Sequence, residues 1–195
     1  MPTTTRPIPR AIRAGASPAA SSTRCDAARA GGGFVTSVLF VCLGNICRSP
    51  LAEGALRAAA ERAGLDIVVD SAGTGDWHVG APPDRRAQAA ARRHGVDISG
   101  LRARQVRPED FRRFDHVLAL DDQNLRDLMA IAPADGTAEV RLLMDYVPGR
   151  EGSSVADPYF GTDRDFDTTW AEVRAAADAL VGRLGRRFPK SAGTM

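Results

Sequence analysis

The residues best suited to chemistry lie together in one short segment near the start of the apolar part of the chain. It follows the run Val38-Leu-Phe-Val and reads Cys42-Leu-Gly-Asn-Ile-Cys-Arg-Ser-Pro50. A strand that turns tightly into a helix points several backbone N–H groups into one concavity beside a helix N-terminus. The pattern therefore predicts a cradle for a dianion, and phosphate is the anion that we expect there.

Cys42 stands at the end of the predicted strand, where the field of such a cradle would act on its thiol. The same field that binds an anion stabilises a thiolate, so we expect the pKa of Cys42 to lie well below the usual value of about 8.5. This cysteine would then be a nucleophile at neutral pH without a neighbouring base. A buried structural cysteine is the alternative, but it leaves the accompanying Gly, Asn, Arg and Ser unexplained.

The other residues of the segment fit the same use. Arg48 can swing back over the loop and hold two phosphoryl oxygens with its planar fork. Ser49 can donate its hydroxyl to the Cys42 sulfur, while Gly44 and Asn45 tolerate the left-handed backbone angles of a tight loop. We therefore predict a phosphate-binding loop made of Leu43, Gly44, Asn45, Ile46, Cys47 and Arg48.

A zinc site is the rival use of Cys42 and Cys47. No second Cys/His pair lies near them, and the three histidines are scattered at positions 78, 94 and 116. Metal sites need several such ligands at short spacing. We therefore expect neither a metal nor any other cofactor.

Two aspartates outside the loop are candidate partners. Asp157 is followed by Pro158, which stiffens the segment, and a positioned carboxyl can protonate a leaving group. A simple turn is the alternative reading of Asp-Pro. Asp121 ends a predicted strand, at the sheet edge where open α/β folds bind ligands. It either orients Arg48 or caps the helix that follows.

Length and composition predict a single globular domain. The chain has 195 residues, of which 44% are hydrophobic and 26% charged, with a formal net charge of +2. So small a charge gives no reason to expect a nucleic-acid partner, and no apolar run approaches the roughly 20 residues that span a bilayer. Three cysteines are too few for a secreted disulfide framework, so we expect a cytoplasmic protein with no membrane partner.

Short apolar runs alternate with longer helical patterns, which is typical of a parallel α/β domain. We predict strands at 37–42, 67–70, 116–120 and about 140–143, and helices at 50–64, 83–95, 108–114, 122–131 and 168–187. The domain should span 34–188, followed by a flexible tail at 189–195. Residues 1–33 contain one acid, Asp26, and no apolar periodicity, so they predict a disordered extension; a transit peptide is the alternative.

Taken together, these motifs resemble the low-molecular-weight protein-tyrosine phosphatases. The resemblance covers about residues 38 to 184 and includes several motifs in the same order: the Cys42 to Ser49 loop, Asp70-Ser-Ala-Gly-Thr, Pro82-Pro-Asp84, Leu120-Asp-Asp-Gln-Asn-Leu-Arg-Asp-Leu and Asp157-Pro-Tyr159. It implies a three-layer α/β domain, with a four-stranded parallel sheet, helices on both faces and the phosphate-binding loop near its N-terminal end.

The resemblance also implies a reaction. Cys42 would form a phosphocysteine intermediate on phosphotyrosine-containing proteins, with Asp157 as the general acid and phosphate as product and inhibitor. Trp77 and Tyr159 would form the walls of a slot for the aromatic ring, although core packing is an alternative for Trp77. Cys47 could resolve an oxidised Cys42 as a disulfide.

Three other functions share the fold that the resemblance implies. Thioredoxin-coupled arsenate reductases need two further redox cysteines, and none follows Cys47 here. Protein-arginine phosphatases carry threonine where this chain has Ile46. A catalytically silent phosphate-binding module would not need Cys42, Arg48 and Asp157 together.

Overall fold

The computed structural model describes residues 12–13 and 35–187. Most of the predicted disordered extension, and the predicted tail at 189–195, lie outside the described residues. Within the extension, Ile12–Arg13 form a two-residue strand, β1, that pairs in parallel with Val96–Asp97, β4. The short strand β4 has no counterpart among the predicted elements.

Four parallel strands form the main sheet, in the order β3-β2-β5-β6. Their bounds are Thr36–Cys42 for β2, Ile67–Gly73 for β3, His116–Ala119 for β5 and Glu139–Leu142 for β6. Strand β2 has a neighbour on each side and helices on each face, which explains its continuous apolar run. The predicted four-stranded parallel sheet is confirmed.

Helices cover both faces of this sheet. They are α1 Arg48–Ala63, α2 Arg85–Arg93, α3 Asp110–Arg113, α4 Asp122–Ile131 and α5 Asp163–Arg187, with a 3-10 turn at Leu143–Tyr146. Side chains of β2 alternate between the faces. Val38 and Phe40 join the core under α1, α2 and α5, whereas Leu39 and Val41 join the core under α3 and α4.

Differences between predicted and observed bounds have local causes. Strand β3 runs three residues beyond the predicted end because it stays paired with β2 up to Cys42 and Gly73. Helix α5 begins at Asp163 instead of 168, because the Asp165 carboxylate accepts a hydrogen bond from the Thr162 backbone N–H at 2.6 Å and closes a capping turn. Helix α1 ends as predicted, at Gly64 in the left-handed conformation.

Gly73, the last residue of β3, lies against the loop that follows β2. A Cβ atom there would meet the Leu43 carbonyl oxygen at 2.8 Å and the Asn45 nitrogen at 3.1 Å. These are backbone atoms, so they cannot rotate out of the way. The absence of a side chain at Gly73 therefore allows the loop to lie close to β3.

We expect Gly73→Ala to lower the free energy of unfolding by about 1–3 kcal/mol through overpacking. The matched control is Gly182→Ala in α5, where a Cβ meets only Arg186 at 3.9 Å. That change should raise the free energy of unfolding by up to about 1 kcal/mol, because alanine favours helix. Denaturant titration measures both, and equal stabilities would refute the steric argument.

Candidate active site

The loop between β2 and α1 forms the floor of the site. Cys42 is the last residue of β2 and Arg48 is the first of α1. Three backbone hydrogen bonds hold the loop carbonyls: Thr74 to Cys42 at 2.9 Å, Gly75 to Leu43 at 2.9 Å and Asp84 to Ile46 at 2.8 Å. Within the described residues, no acceptor meets the backbone N–H groups of positions 44 to 47. Unpartnered N–H groups beside a helix N-terminus favour an anion.

Asn45 organises the interior of this loop. Its backbone is left-handed, with φ of 54°, as predicted. Its buried side chain donates from Nδ2 to the hydroxyls of Ser49 and Ser71, each at 2.9 Å. Its Oδ1 accepts from the Arg104 backbone N–H at 2.9 Å. The turn conformation is therefore fixed by three surrounding segments of the fold, which contribute Ser49, Ser71 and Arg104.

The prediction of a left-handed backbone was wrong for Gly44, which is not among the residues with positive φ in the described chain. The reason for glycine there is space. A Cβ atom at Gly44 would lie 3.0 Å from Cδ2 of His78. His78 was not among the predicted site residues, and its place beside the loop depends on a tertiary contact that no sequence pattern reveals.

The Cys42 thiol is buried at the bottom of the site, with 3% of the residue exposed. Its Sγ lies 3.0 Å from Oγ of Ser49. Since Asn45 donates to the same oxygen, the Ser49 hydroxyl proton is free to be donated, either to the sulfur or to the Ala72 carbonyl at 3.3 Å. Donation to sulfur would stabilise a thiolate.

Arg48 is buried and tied by both ends of its guanidinium fork. Nη1 donates to Oδ2 of Asp121 at 2.5 Å and to the Val155 carbonyl at 3.3 Å, and Nη2 donates to Oδ2 of Asp157 at 2.8 Å. Burial opposes the charge of Arg48, but the negative charges of Cys42, Asp157 and Asp121 outweigh burial and raise its pKa. The arginine is therefore a permanent cation beside the cradle.

Asp121 combines the two roles that the sequence left open. Its Oδ1 accepts a hydrogen bond from the Asn124 backbone N–H at 2.7 Å, so Asp121 is the N-cap of α4. Its Oδ2 meets the Arg48 guanidinium. One carboxylate thus connects the start of a helix to the arginine of the floor.

Asp157 lies at the mouth of the site, with 43% of its side chain exposed. Besides its contact with Arg48, its Oδ1 accepts from the Tyr159 backbone N–H at 3.1 Å. This turn fixes the local shape of the segment 156–161, which we call the acid loop. A half-exposed carboxyl that lines the same cavity as the Cys42 thiol can exchange protons with a group bound there.

A cavity of about 330 Å³ rises above the floor. Trp77 and Tyr159 line it, as do Leu43, Ile46, His78 and Phe160. Trp77 is 62% exposed, so core packing is excluded for it. A Cβ at Gly75 would overlap the Trp77 ring at 2.1 Å, which shows how closely the ring covers the backbone there. The opening therefore suits a flat aromatic group above an anion.

Cys47 is a second free thiol in the loop, buried with 4% of the residue exposed. Burial raises its pKa strongly, and the negative charges of Asp84, Cys42 and Asp157 raise it further. Cys47 is therefore a neutral thiol at physiological pH. Its role in resolving an oxidised Cys42 stays a prediction.

A second polar network, which the sequence did not reveal, lies behind the loop. The Ser71 hydroxyl donates to Oε2 of the buried Glu53 at 2.7 Å, and Arg57 donates to Oε1 at 2.7 Å. Burial raises the pKa of Glu53, while the charge of Arg57 opposes that rise. The i,i+4 spacing of Glu53 and Arg57 in the sequence is compatible with an ion pair. It does not show that this pair faces the strand behind the loop.

Two expected absences can be compared with the described residues. Among residues 12–13 and 35–187, no group of three His, Cys, Asp or Glu side chains could hold a metal ion. In the same part of the chain, no helix has both the length and the apolar character that a membrane crossing requires.

The two contacts of Asp121 can be separated by mutation. Asp121→Asn keeps an oxygen for the N-cap but removes the charge that faces Arg48. The turnover of an aryl phosphate that the resemblance implies should therefore fall, while stability falls little. Asp121→Ala also removes the cap, which should lower the free energy of unfolding by about 1 kcal/mol more. Turnover and denaturant titration measure the two effects. Wild-type turnover in the Asn variant would show that Arg48 needs no help from Asp121.

Comparisons with known proteins agree with this geometry. A family model described as low molecular weight phosphotyrosine protein phosphatase matches residues 37–190. The low molecular weight protein-tyrosine-phosphatase YfkJ of Bacillus subtilis is 45% identical over 76% of this chain and 95% of its own length. Its crystal structure superposes with a TM-score of 0.74 at 38% identity, covering 81% of this chain and 99% of that one.

An arginine phosphatase of Drosophila is also similar in structure. It superposes with a TM-score of 0.71 at 32% identity, covering 75% of this chain and 96% of that chain. The family match spans most of the sequence and the whole site described above. This chain therefore belongs to the low-molecular-weight phosphotyrosine protein phosphatase family.

Proposed function

We propose that this chain hydrolyses phosphotyrosine in proteins through a phosphocysteine intermediate on Cys42. One observation carries the proposal: Cys42, Arg48 and Asp157 line one cavity, and the backbone N–H groups at its floor meet no acceptor in the described part of the chain. Each supplies something that phosphoryl transfer needs, namely a nucleophile, a fixed cation and a proton donor. Membership of a phosphotyrosine phosphatase family already implies phosphoprotein substrates.

In the first step, the aromatic ring enters between Trp77 and Tyr159 and the phosphoryl group rests on the loop N–H groups. The Cys42 thiolate attacks phosphorus, so that an S–P bond forms as the bond from phosphorus to the phenolic oxygen breaks. Asp157 gives its proton to that oxygen and the product leaves as neutral tyrosine. The N–H groups and Arg48 stabilise the charge on the phosphoryl oxygens.

In the second step, a water molecule attacks the phosphorus of phosphocysteine. Asp157, now a carboxylate, takes a proton from this water, the S–P bond breaks and inorganic phosphate is released. Ser49, 3.0 Å from the sulfur, can donate to the departing thiolate. Because phosphate fits the same cradle as the substrate, we expect it to be a competitive inhibitor.

Arg48 links substrate binding to the acid loop. Nη2 of Arg48 is bonded to Asp157, and Nη1 is bonded to Asp121. A phosphoryl group in the cradle would compete with Asp157 for its share of the guanidinium. Binding would then release one Asp157 oxygen toward the leaving group while Asp121 keeps the arginine in place.

Arginine phosphatase activity is the second candidate, since a solved structure with that name is 32% identical. The feature that favours tyrosine is Ile46, a half-buried residue that lines the cavity beside Cys47. An apolar side chain there suits a phenolic ring better than a guanidinium. Arsenate reduction of the thioredoxin-coupled kind lacks support, because no cysteine follows Cys47 in the sequence.

We also propose a cytoplasmic location. Its support is that Cys42 and Cys47, the cysteines within the described residues, are both free thiols, as a reducing compartment requires. We further propose that the chain binds neither nucleic acid nor membranes, and the net charge of only +2 supports this.

The mechanism is tested by two substitutions. Cys42→Ser should abolish turnover while inorganic phosphate still binds, because the N–H groups and Arg48 remain. Asp157→Asn should lower kcat/KM for phenyl phosphate by about 100-fold or more, and much less for dinitrophenyl phosphate, whose leaving group needs no proton. Steady-state kinetics measure turnover, and titration calorimetry measures phosphate binding to the inactive serine variant. Residual turnover by the serine variant, or an equal loss on both substrates, would contradict the assignment.

Substrate preference is tested at Ile46. Ile46→Thr should lower kcat/KM for a phosphotyrosine peptide and raise it for phosphoarginine, because an apolar ethyl group at the cavity wall is exchanged for a hydroxyl. One such change is worth roughly 1–3 kcal/mol of discrimination. The ratio of the two kcat/KM values in parent and variant is the measurement. A parent that already prefers phosphoarginine would transfer the proposal to the second candidate.

A further inference from the structure

Arg86, the second residue of α2, reaches across to the acid loop. Its Nη2 donates to the Tyr159 carbonyl at 3.0 Å and its Nη1 donates to the Gly161 carbonyl at 3.0 Å. Both carbonyls lie just after Asp157 in the chain. Arg86 contacts the backbone of the loop and does not line the cavity.

The same guanidinium is fixed on its other side by Asp84. Nε of Arg86 donates to Oδ1 of Asp84 at 3.1 Å, and Nη2 donates to Oδ2 at 3.0 Å. Asp84 is the N-cap of α2, and its backbone N–H donates to the Ile46 carbonyl at 2.8 Å. A continuous series of contacts therefore runs from the phosphate-binding loop, through Asp84 and Arg86, to the acid loop.

Packing restricts the guanidinium further. Its central carbon lies 4.6 Å from the ring centroid of Phe166, a fully buried residue of α5. A planar group between an aromatic face and four oxygen acceptors has little rotational freedom. Lysine could supply the charge at this point but not the planar fork.

The acid loop has few other attachments. Its beginning is held by Val155, whose N–H donates to the Leu120 carbonyl at 2.8 Å. For positions 158 to 161, within the described part of the chain, the hydrogen bonds to residues outside the loop come from Arg86. Phe160, at the tip, is 97% exposed and adds almost no packing. Between the buried Pro158 and the start of α5 at Asp163, Arg86 is therefore the side chain that holds the loop backbone.

We propose that Arg86 is a positioning residue that keeps Asp157 above the Cys42 sulfur. This inference rests on the proposed function, because it assumes that Asp157 is the general acid. Arg86 does not touch the substrate. If it is removed, the Tyr159 and Gly161 carbonyls lose their side-chain donor, and Asp157 is in place in a smaller fraction of molecules. Steps that need its proton then slow, whereas anion binding at the floor is unchanged.

The test compares Arg86→Met with Arg85→Met. Arg85 is an exposed neighbour in the same turn of α2, so its substitution removes the same charge without a contact to the acid loop. Arg86→Met should lower kcat/KM for phenyl phosphate by about tenfold or more, and for dinitrophenyl phosphate by less than about threefold. Inhibition by inorganic phosphate should stay within about threefold of the parent. Arg85→Met should match the parent throughout.

Arg86→Lys provides a second test that keeps the positive charge. If bridging by the fork matters, this variant should show the same dependence on leaving group as Arg86→Met. If charge alone matters, it should behave like the parent, and that result would overturn the proposal. Thermal unfolding of each variant verifies that the comparison is made on folded protein.

Asp157→Asn in the same assay separates the hypothesis that Asp157 is the general acid from the hypothesis that Arg86 positions it. Adding Arg86→Met to it should cause no further loss on phenyl phosphate, because the group being positioned is already absent. If Asp157→Asn shows no dependence on leaving group, the proposed mechanism fails. Suppose instead that the rate loss of Asp157→Asn depends on the leaving group, but Arg86→Met slows both substrates equally or weakens phosphate inhibition. Then only the positioning role of Arg86 is refuted.

Discussion

The site depends on one constraint, which is that a tight turn between a buried strand and a helix must leave its N–H groups without protein acceptors. Such groups are normally paired, and leaving them unpaired is unfavourable unless an anion is bound. Contacts on the side of the turn away from the cavity keep it in this conformation despite the unpaired N–H groups. Asn45 supplies the left-handed residue, Gly73 supplies the space, and Thr74 and Gly75 bind the carbonyls. The cradle is therefore preorganised before any substrate arrives.

The charged side chains around the turn are arranged to suit an anion bound at its N–H groups. Bringing a phosphate dianion next to a thiolate is electrostatically unfavourable in a buried setting. Backbone dipoles offset part of this repulsion, and Arg48 offsets more because it is fixed between two carboxylates. Each carboxylate accepts two hydrogen bonds, but the Asp121 side chain is 22% exposed and the Asp157 side chain is 43% exposed. The inner carboxylate is thus suited to orientation, and the outer one to proton transfer.

The sequence revealed those features that short spacings determine. The alternation of apolar runs with helical patterns predicted the fold. The interval from Cys42 to Arg48 and the Asp-Pro pair predicted residues that the structure places at one cavity. Interactions between distant segments were not predictable. In the sequence, Asp84 and Arg86 belong to the start of a predicted helix, and Ser71 lies just beyond the predicted strand 67–70. Only the folded structure places Arg86 beside the acid loop and Ser71 beside Asn45. Gly44 was interpreted through backbone angles when the true requirement was room for His78.

Local stability differs sharply between the two halves of this site. Cys42 ends the central strand, which is covered on both faces and paired on both edges. Asp157 belongs to a segment with an exposed tip and few attachments. Segments of the second kind open at a free energy far below that of global unfolding. Under the proposed mechanism, moderate heat or denaturant would therefore displace Asp157 first and leave a folded protein that still binds phosphate but turns over slowly.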